Sequence, residues 1–387
     1  MQIIEVTNRD LERHFIQVNV RLYRDDPNYI RPLDRDVQEV FDSSRNRLFL
    51  TGAAKRWVLQ DVGGTYIGRI AAFYNPRYKN AGDTVKAGGI GFFDCINDQA
   101  AADLLFRTAA DWLREMGAEA MDGPINFGER DKFWGLLVDG FHPPLYGMNY
   151  NAPYYQELFE RHGFRVFYNQ LCWHLDVDRR LPDRFYQTHE KFVSNPDIRA
   201  EHIDTRRLEK YACDFSTIYN KAWAKHQGNK EISPEKAIGI FRKLRHVIDE
   251  DIVWYAYHRD EPVAIWMNIP DLNQIFRHFN GSLTTWRKLQ LLWYRHMGAC
   301  TRFVGIIYGI VPEWQGTGID YYMIVEAAKV IQSKRKYREL ELQWQGDFNP
   351  KMIAISKHLG GSLSRKLATY RLIFDPAKEF RRHPILN

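Results

Sequence analysis

Hydrophobic and polar positions along the chain predict a fixed order of elements, and this order occurs twice. In the first half, an alternating stretch from Arg56 to Phe73 turns on Gly63-Gly64 and predicts a β-hairpin. A strand from Gly89 to Cys95 follows and leads into a stretch from Asp98 to Met116 whose apolar residues recur at helical spacing. The pattern predicts a hairpin followed by a strand–helix unit.

The second half shows the same succession. Residues Asp251 to Asn268 predict a hairpin, Phe303 to Val311 predict a strand, and Gly318 to Lys334 predict a helix. A further strand and a short helix close each half. The agreement in element order indicates an internal duplication.

A constant offset supports the duplication. Residues 6–13 align with residues 203–210 at an offset of 197 positions, and both stretches read as an apolar position, a turn, a capping residue and a helix start. Gly163 aligns with Gly360 at the same offset. We therefore predict two homologous units, residues 1–178 and residues 179–387.

The remaining segments connect these units. Residues 179–199 predict a linker that contains a helix from Asp183 to Val193, and Pro270 to Cys300 predict a mostly helical insertion in the second unit. The fold class predicted from this order is α/β (α+β).

Composition narrows the class of protein. The 387 residues carry a formal net charge of +6, with 45% hydrophobic and 26% charged residues, as soluble globular chains do. The longest uninterrupted apolar stretch, Phe303 to Val311, is far below the roughly 18 residues of a membrane-spanning helix. The first residues lack the apolar stretch of a signal peptide, so we expect a cytoplasmic protein without a membrane span. The dilute positive charge argues against DNA binding.

Cysteine and histidine spacing predicts no metal site. The four cysteines, Cys95, Cys172, Cys213 and Cys300, occur singly, with neither a CxxC pair nor a matching histidine pair. We expect them to be buried apolar residues.

The strand-to-helix turn from Tyr308 to Asp320 carries the most suggestive chemistry. An apolar strand ends at Pro312, two glycines at positions 316 and 318 open a turn, and a helix begins at Ile319. The backbone amides of such a turn point together beside the positive end of the helix dipole. The turn therefore predicts an anion site.

The spacing of the glycines distinguishes kinds of anion site. The chain has neither GxxxxGK[ST] nor a GxGxxG after this strand. The QGTG turn after a strand that ends in Val-Pro resembles the [QR]xxGx[GA] turn with which the GNAT acyltransferase superfamily grips the pyrophosphate of coenzyme A. The strand Glu339 to Trp344, followed by Asn349 and Gly360, resembles the closing strand and helix of that superfamily.

The resemblance implies two tandem GNAT-like domains, each with a mixed, mostly antiparallel sheet flanked by helices. It also implies acetyl-coenzyme A, or a longer acyl-coenzyme A, as co-substrate. The residues implied for its binding are Ile310, Val311, Gln315, Gly316, Thr317, Gly318, Ile319 and Asn349. Two positions depart from the superfamily pattern: Asp320 replaces a small residue in the turn, and Ser356 replaces a tyrosine acid.

The first half lacks this turn. After Cys95, Asn97 or Asp98 is placed to cap the following helix, and no glycines open the turn. We therefore predict that only the second half binds the co-substrate, while the first half forms a wall of the acceptor cleft.

Acyl transfer to an amine needs a base for the amine, a donor for the oxyanion and a leaving thiolate. We predict a backbone amide between Tyr308 and Val311 as the oxyanion donor. Glu341 is the first candidate base and Asp271 the second, although either carboxylate could instead be structural. Tyr308 is a candidate acid, with Tyr370 as an alternative, although packing is the usual role of tyrosine.

We expect an N-acyltransferase that moves an acyl group from acyl-coenzyme A to a small-molecule or peptide amine by direct attack in a ternary complex. One alternative is an aminoacyl-tRNA-dependent transferase on a tandem GNAT scaffold, and another is a non-catalytic binding protein. The basic run from Lys334 to Arg338 could also dock a tRNA or an acyl carrier protein, although it also complements the negative end of the helix dipole.

Overall fold

Local sequence signals set the helix boundaries in the computed structural model, which describes residues 1–80, 82–128, 130–224 and 231–386. The first helix follows Asn8, whose side chain accepts hydrogen bonds from the backbone amides of Asp10 and Leu11. The two helices that close the halves are followed by Gly163 and Gly360, both with positive φ, where a glycine avoids the strain of a side chain.

Both halves contain strands and helices. The strands are β1 Gln2–Glu5, β2 Ala53–Gln60, β3 Tyr66–Tyr74, β4 Ala87–Cys95, β5 Ala120–Gly123, β6 Leu136–Asp139, β7 Arg165–Asp176, β8 Ile198–His202, β9 Val253–His258, β10 Glu261–Pro270, β11 Arg302–Ile310, β12 Glu339–Gly346 and β13 Ser362–Ile373. The helices are α1 Arg9–Leu22, α2 Asp34–Phe41, α3 Gln99–Glu115, α4 Tyr155–His162, α5 Asp183–Val193, α6 Leu208–Tyr219, α7 Pro234–Leu244, α8 Asn273–Phe276, α9 Thr285–His296, α10 Ile319–Lys334 and α11 Pro350–His358.

Both predicted hairpins are confirmed, as β2–β3 and β9–β10, and both predicted strand–helix units are confirmed, as β4–α3 and β11–α10. The predicted helix Asp183 to Val193 is α5. The predicted α/β (α+β) class is confirmed too: one large sheet, mostly antiparallel, carries helices on its faces.

The sheet joins the two halves by exchanging their last strands. Its order is β1-β2-β3-β4-β5-β13-β7-β12-β11-β10-β9-β8, with β6 paired to β13. The final strand of the chain, β13, therefore lies beside β5 of the first half, and β7 lies beside β12 of the second half. Consequently β7 and β13 pair at the centre of the molecule.

A buried ion pair spans one of these exchanged contacts. Arg371 of β13 donates to both carboxylate oxygens of Asp122 of β5, at 2.6 and 2.9 Å, and both side chains are buried. The pair ties the C-terminal strand to the N-terminal half.

The two halves differ in the connection that precedes β4 in the first half and β11 in the second half. Residues 75–86 link β3 to β4, whereas residues 271–301, including α8 and α9, link β10 to β11. The predicted insertion is thus confirmed as two helices. Within the described part of the chain, no helix is long and apolar enough to cross a membrane.

Candidate active site

The parallel strands β11 and β12 separate partway along their length. They pair from Arg302 with Glu339 to Gly305 with Leu342, and beyond this point each continues without the other. On the other side of β11, Met267 pairs with Ile307 and Asn268 with Gly305, so Ile306 is an extra residue in a β-bulge. A bulge leaves such a residue without a partner on the neighbouring strand, here β10.

A cavity of about 290 Å³ lies at this opening. Helices α10 and α11 and both separated strands contribute to its wall. Its lining residues are Arg130, Asp131, Trp266, Gly305, Ile306, Ile307, Tyr308, Ile324, Leu342, Gln343, Trp344, Gln345, Met352, Ile355, Ser356 and Leu359. Arg130 and Asp131 belong to the first half, so both halves form the cleft.

The glycine turn follows the end of β11. Gly316 and Gly318 have φ values of 74° and 89°. Residues that carry a Cβ atom rarely adopt this backbone conformation. Among the described residues, the backbone amides of both glycines have no hydrogen-bond acceptor. A side chain at Gly316 would meet open space within 4 Å. The turn thus offers unpaired amides at the start of α10, as an anion site requires.

Gly318 has a second reason to be glycine. A Cβ atom at this position would overlap Cγ2 of Thr188 on the linker helix α5. Gly318 therefore also allows α5 and α10 to pack closely.

Asp320 is turned away from the turn. Its side chain is buried, and Oδ2 accepts a hydrogen bond from the Tyr308 hydroxyl at 2.7 Å. Burial and the neighbouring Asp320 carboxylate raise the pKa of Tyr308 well above its ordinary value. Tyr308 lines the cavity as a neutral phenol whose proton is held by Asp320.

The other residues implied for co-substrate binding hold the turn together through their own contacts. The Gln315 side chain donates to the Ile310 carbonyl at 3.1 Å, and the Thr317 hydroxyl donates to the Trp314 carbonyl at 2.8 Å. The Val311 amide donates to the carbonyl of Val263 on β10, and Ile319 is fully buried.

Asn349 caps the closing helix. Its Oδ1 accepts from the Met352 amide at 3.3 Å at the start of α11. Farther along α11, Ser356 is buried in the cavity wall, where its hydroxyl exchanges hydrogen bonds with the Gln345 amide group at 2.7 and 3.0 Å.

The two candidate bases lie together, outside the lining of the cavity. Glu341 is buried, and its Oε1 accepts from Arg365 Nε at 2.6 Å and from the Ser364 hydroxyl at 2.8 Å. Arg302 lies between the two carboxylates, with Nη1 3.7 Å from an oxygen of Glu341 and 3.7 Å from an oxygen of Asp271. Both carboxylates therefore belong to one buried ion cluster.

Burial raises the pKa of Asp271 to about 6, while the positive charge of Arg302 opposes the shift. Its Oδ1 accepts from the Asn273 amide at 3.2 Å. Asp271 therefore titrates close to neutrality inside the protein.

The sequence did not single out Arg130, Asp131 and Gln345 as cavity residues. Arg130 and Asp131 belong to the charged loop 128–132, in which Glu129 lies outside the described residues. The Trp344 indole donates to the Arg130 carbonyl at 3.3 Å, which fixes this loop against β12. Only the strand exchange brings the loop to the second half, so no local pattern could have indicated it.

The matching strands of the first half are bridged by a backbone hydrogen bond just beyond their paired residues. Strands β4 and β5 pair only from Ala87 to Gly89, and the Ile125 amide then donates to the Ile90 carbonyl at 2.6 Å. A Cβ atom at Gly91 would overlap the Ile125 carbonyl oxygen. Ile125 thus bridges the two strands where they separate, and a smaller cavity of about 60 Å³ lies beyond it against Phe92, Phe93 and Asp94.

The helix that follows β4 is capped at its start by a side chain. Asp98 accepts from the amides of Ala100 and Ala101, at 2.8 and 3.1 Å. The cap predicted at Asn97 or Asp98 is therefore confirmed at Asp98.

The described residues contain no group of three or more His, Cys, Asp or Glu side chains placed to hold a metal ion. Cys95, Cys172 and Cys300 are buried as predicted, whereas Cys213 is only half-buried.

Comparisons with known proteins give the chain relatives along nearly its whole length. The bacterial ceramide synthase of Caulobacter vibrioides is 24% identical over 377 residues, which are 96% of each chain. Protein YghO of Escherichia coli is 25% identical over 372 residues, 94% of this chain and 93% of that protein. No protein-family model matches the sequence.

Solved structures share the fold. A tandem GNAT protein from the clavulanic acid biosynthesis pathway superposes with a TM-score of 0.55 at 11% identity, over 97% of this chain and 99% of that one. The glycine turn, the closing strand and helix, and the duplicated order of elements match the GNAT resemblance of the sequence. The chain is therefore a tandem protein of the GNAT fold.

Proposed function

We propose that the chain is an acyltransferase that moves an acyl group from acyl-coenzyme A to an amine. The main support is the position of two features along one strand, β11. The unpaired amides of Gly316 and Gly318 follow its end, and the cavity lies beside Ile306 within it. At about 3.3 Å per residue, Ile306 and Ile310 are about 13 Å apart along this strand. An extended pantetheine arm can follow such a path from the turn to the cavity.

The residues of the site suit a pyrophosphate and a thioester. The open space at Gly316 and the start of α10 would accept the phosphates, and the bulge at Ile306 would donate a backbone amide to the thioester carbonyl oxygen. That donor stabilises the oxyanion formed when the amine attacks. Coenzyme A leaves as the thiolate when the carbon–sulfur bond breaks.

Asp131 is the candidate base that the cavity itself offers. Of the described residues that line the cavity, Asp131 is the one with a carboxylate side chain. It would attract an ammonium group and accept its proton. The substitution Asp131→Asn is expected to lower kcat by about 10²-fold or more while leaving donor binding unchanged.

A long-chain amine is the acceptor class that we propose. The Caulobacter relative is named a ceramide synthase, and ceramides are amides of long-chain amino alcohols. A second, apolar cavity of about 60 Å³ shares Trp266, Ile324 and Leu359 with the first and reaches Phe303 and Leu340. Adjoining apolar walls of this kind favour alkyl chains on the acyl group or the acceptor.

Donor binding is tested by thermal unfolding with acetyl-, medium-chain and long-chain coenzyme A. A donor at about 100-fold excess over Kd is expected to raise Tm by about 2–5 °C. Gly316→Asp should abolish the rise by placing a carboxylate against the phosphates. Gly316→Asn is the matched control, because asparagine has the same shape, tolerates positive φ and carries no charge.

Turnover is tested by release of free coenzyme A thiol in the presence of long-chain and short-chain amines. If no donor raises Tm and the protein binds RNA with a steep dependence on salt, an aminoacyl-tRNA-dependent transferase would be favoured. A thermal shift without thiol release for any amine would favour a non-catalytic binding protein.

A further inference from the structure

Helix α9 turns a large apolar surface toward solvent. The exposed fractions are 66% for Trp286, 55% for Leu289, 58% for Trp293 and 64% for Met297, and Leu292 is 45% exposed. Five of the twelve large apolar side chains exposed in the described part of the chain lie in this segment. Scattered exposed apolar residues are ordinary, whereas a group this dense marks an interaction surface.

The exposed residues form a stripe along the helix. Trp286, Leu289, Trp293 and Met297 are spaced at i, i+3, i+7 and i+11, which places them on one face. The opposite face is attached to the protein: the Arg287 guanidinium lies over the Phe279 ring at 5.2 Å, and Leu291 and Tyr294 pack on the core of the second half. The apolar stripe is therefore the outer side of a helix that is already held in place.

Local sequence signals define both ends of helix α9. The Thr284 side chain accepts from the Arg287 amide at its start, and Gly298 follows its end with a φ of 72°. The outward face is thus a stable feature of the fold.

Positive charge surrounds the stripe. The chain has no Asp or Glu from Leu272 to Thr301, although it carries Arg277, Arg287, Lys288 and Arg295 there. The Arg295 guanidinium also binds the carbonyls of His246 and Ile248, which brings the exposed Arg245 and Lys243 to the end of α9. Within the ranges that the structure describes, Lys288, Lys243 and Arg245 have no ion-pair partner.

We infer that α9 docks the protein on the surface of an anionic phospholipid bilayer. A helix with Trp and Leu on one face and Lys or Arg beside it lies in the interface of such a membrane, its apolar face among the acyl chains. Tryptophan is especially suited to this depth, because its ring is apolar and its N–H can reach water. A second copy of the chain is the weaker candidate partner, because two positively charged rims would repel each other.

The position of α9 in the fold gives this docking a direction. Helix α9 leads directly into the start of β11, and the glycine turn follows the end of β11. The nine residues of β11 span about 26 Å at about 3.3 Å per residue. Helix α9 and the glycine turn thus lie at opposite ends of one strand. Docking through α9 would leave the glycine turn in the aqueous phase.

The experiment is co-sedimentation of the full chain with vesicles of phosphatidylglycerol and phosphatidylethanolamine, compared with neutral phosphatidylcholine vesicles. We expect at least about tenfold stronger binding to the anionic vesicles, weakened by high salt. The triple variant Trp286→Ser, Leu289→Ser, Trp293→Ser should lose at least about tenfold in vesicle affinity. Lys288→Gln and Arg245→Gln should each lose about fivefold on anionic vesicles only.

Leu50→Ser with Val62→Ser is the control, because these side chains are 83% and 99% exposed elsewhere on the molecule. It should bind vesicles as the wild type does, and all variants should keep the wild-type Tm. Undiminished vesicle binding by the triple variant would overturn the inference. So would a wild-type protein that dimerises through α9 and ignores vesicles. Because vesicle binding requires neither donor nor turnover, this result is independent of the proposed acyltransferase activity.

Discussion

Glu341 has a buried carboxylate that could serve either as a general base or as a structural ion-pair partner, and experiment can distinguish these two roles. Arg365, its main partner, is 1% exposed and donates to both of its carboxylate oxygens, at 2.6 and 3.2 Å. Removing one partner of a buried ion pair leaves the other charge uncompensated. The general-base role of Glu341 remains a prediction, and the contacts favour a structural one.

We expect Glu341→Gln to lower the free energy of unfolding by about 3–5 kcal/mol, measured by urea denaturation. Glu339→Gln is the control on the same strand, because Glu339 pairs with Arg302 at a half-exposed site and should cost at most about 1 kcal/mol. A Glu341→Gln protein with unchanged stability and a kcat lowered by orders of magnitude would instead identify Glu341 as the base.

Asp271 makes stability depend on pH. Its pKa is raised from 3.8 to about 6, so between these values the folded protein holds a proton that the unfolded chain releases. Stability therefore falls as pH rises through this window, by about 3 kcal/mol in total. The Asp271→Asn variant stays neutral at every pH. Its free energy of unfolding, minus that of the wild type, should therefore increase as the pH rises from 4 to 7, as measured by urea denaturation at each pH. A constant difference across this range would contradict the raised pKa.

At the scale of elements, the glycine turn combines the proposed anion site with a helix–helix contact. Gly316 borders open space, whereas Gly318 lies against α5. The two glycines therefore separate the two roles that a glycine turn can have.

We expect Gly318→Ala to destabilise the protein more than Gly316→Ala, as measured by urea denaturation. Both substitutions carry the backbone strain of positive φ, about 1–2 kcal/mol, but only Gly318→Ala also creates an overlap with Thr188. Adding Thr188→Ser removes the overlapping Cγ2 atom and should recover the excess loss. Equal effects of the two alanines would mean that α5 moves freely.

At the scale of the molecule, strand exchange makes the two halves depend on each other. Without β13, β5 would expose its edge, β6 would lose its partner strand, and Asp122 would lose Arg371. The duplication thus forms one continuous sheet.

We expect fragments 1–178 and 179–387 to be unfolded when produced separately and to form a folded complex when produced together. Circular dichroism and size-exclusion chromatography provide the measurement, with the intact chain as the control. Cooperative unfolding of fragment 1–178 by itself would show that the exchanged strands are dispensable.

Short stretches of the amino-acid sequence were enough to predict the local structure: the hairpins, the strand–helix units, the linker helix, the cap at Asp98 and the glycine turn. Such features depend on backbone preferences, capping side chains and apolar periodicity within short stretches of chain. The duplication was visible for the same reason, because each half repeats these local signals.

Other features became apparent only in the folded chain: the strand exchange, the partner of Asp320, the ion pair of Glu341 with Arg365 and the contribution of Arg130 and Asp131 to the cleft. Each of these depends on which distant strands pair and on where a side chain points once they have paired. Periodicity assigns a residue to a face of its own strand, whereas the partner across that face is set by the packing of the whole chain.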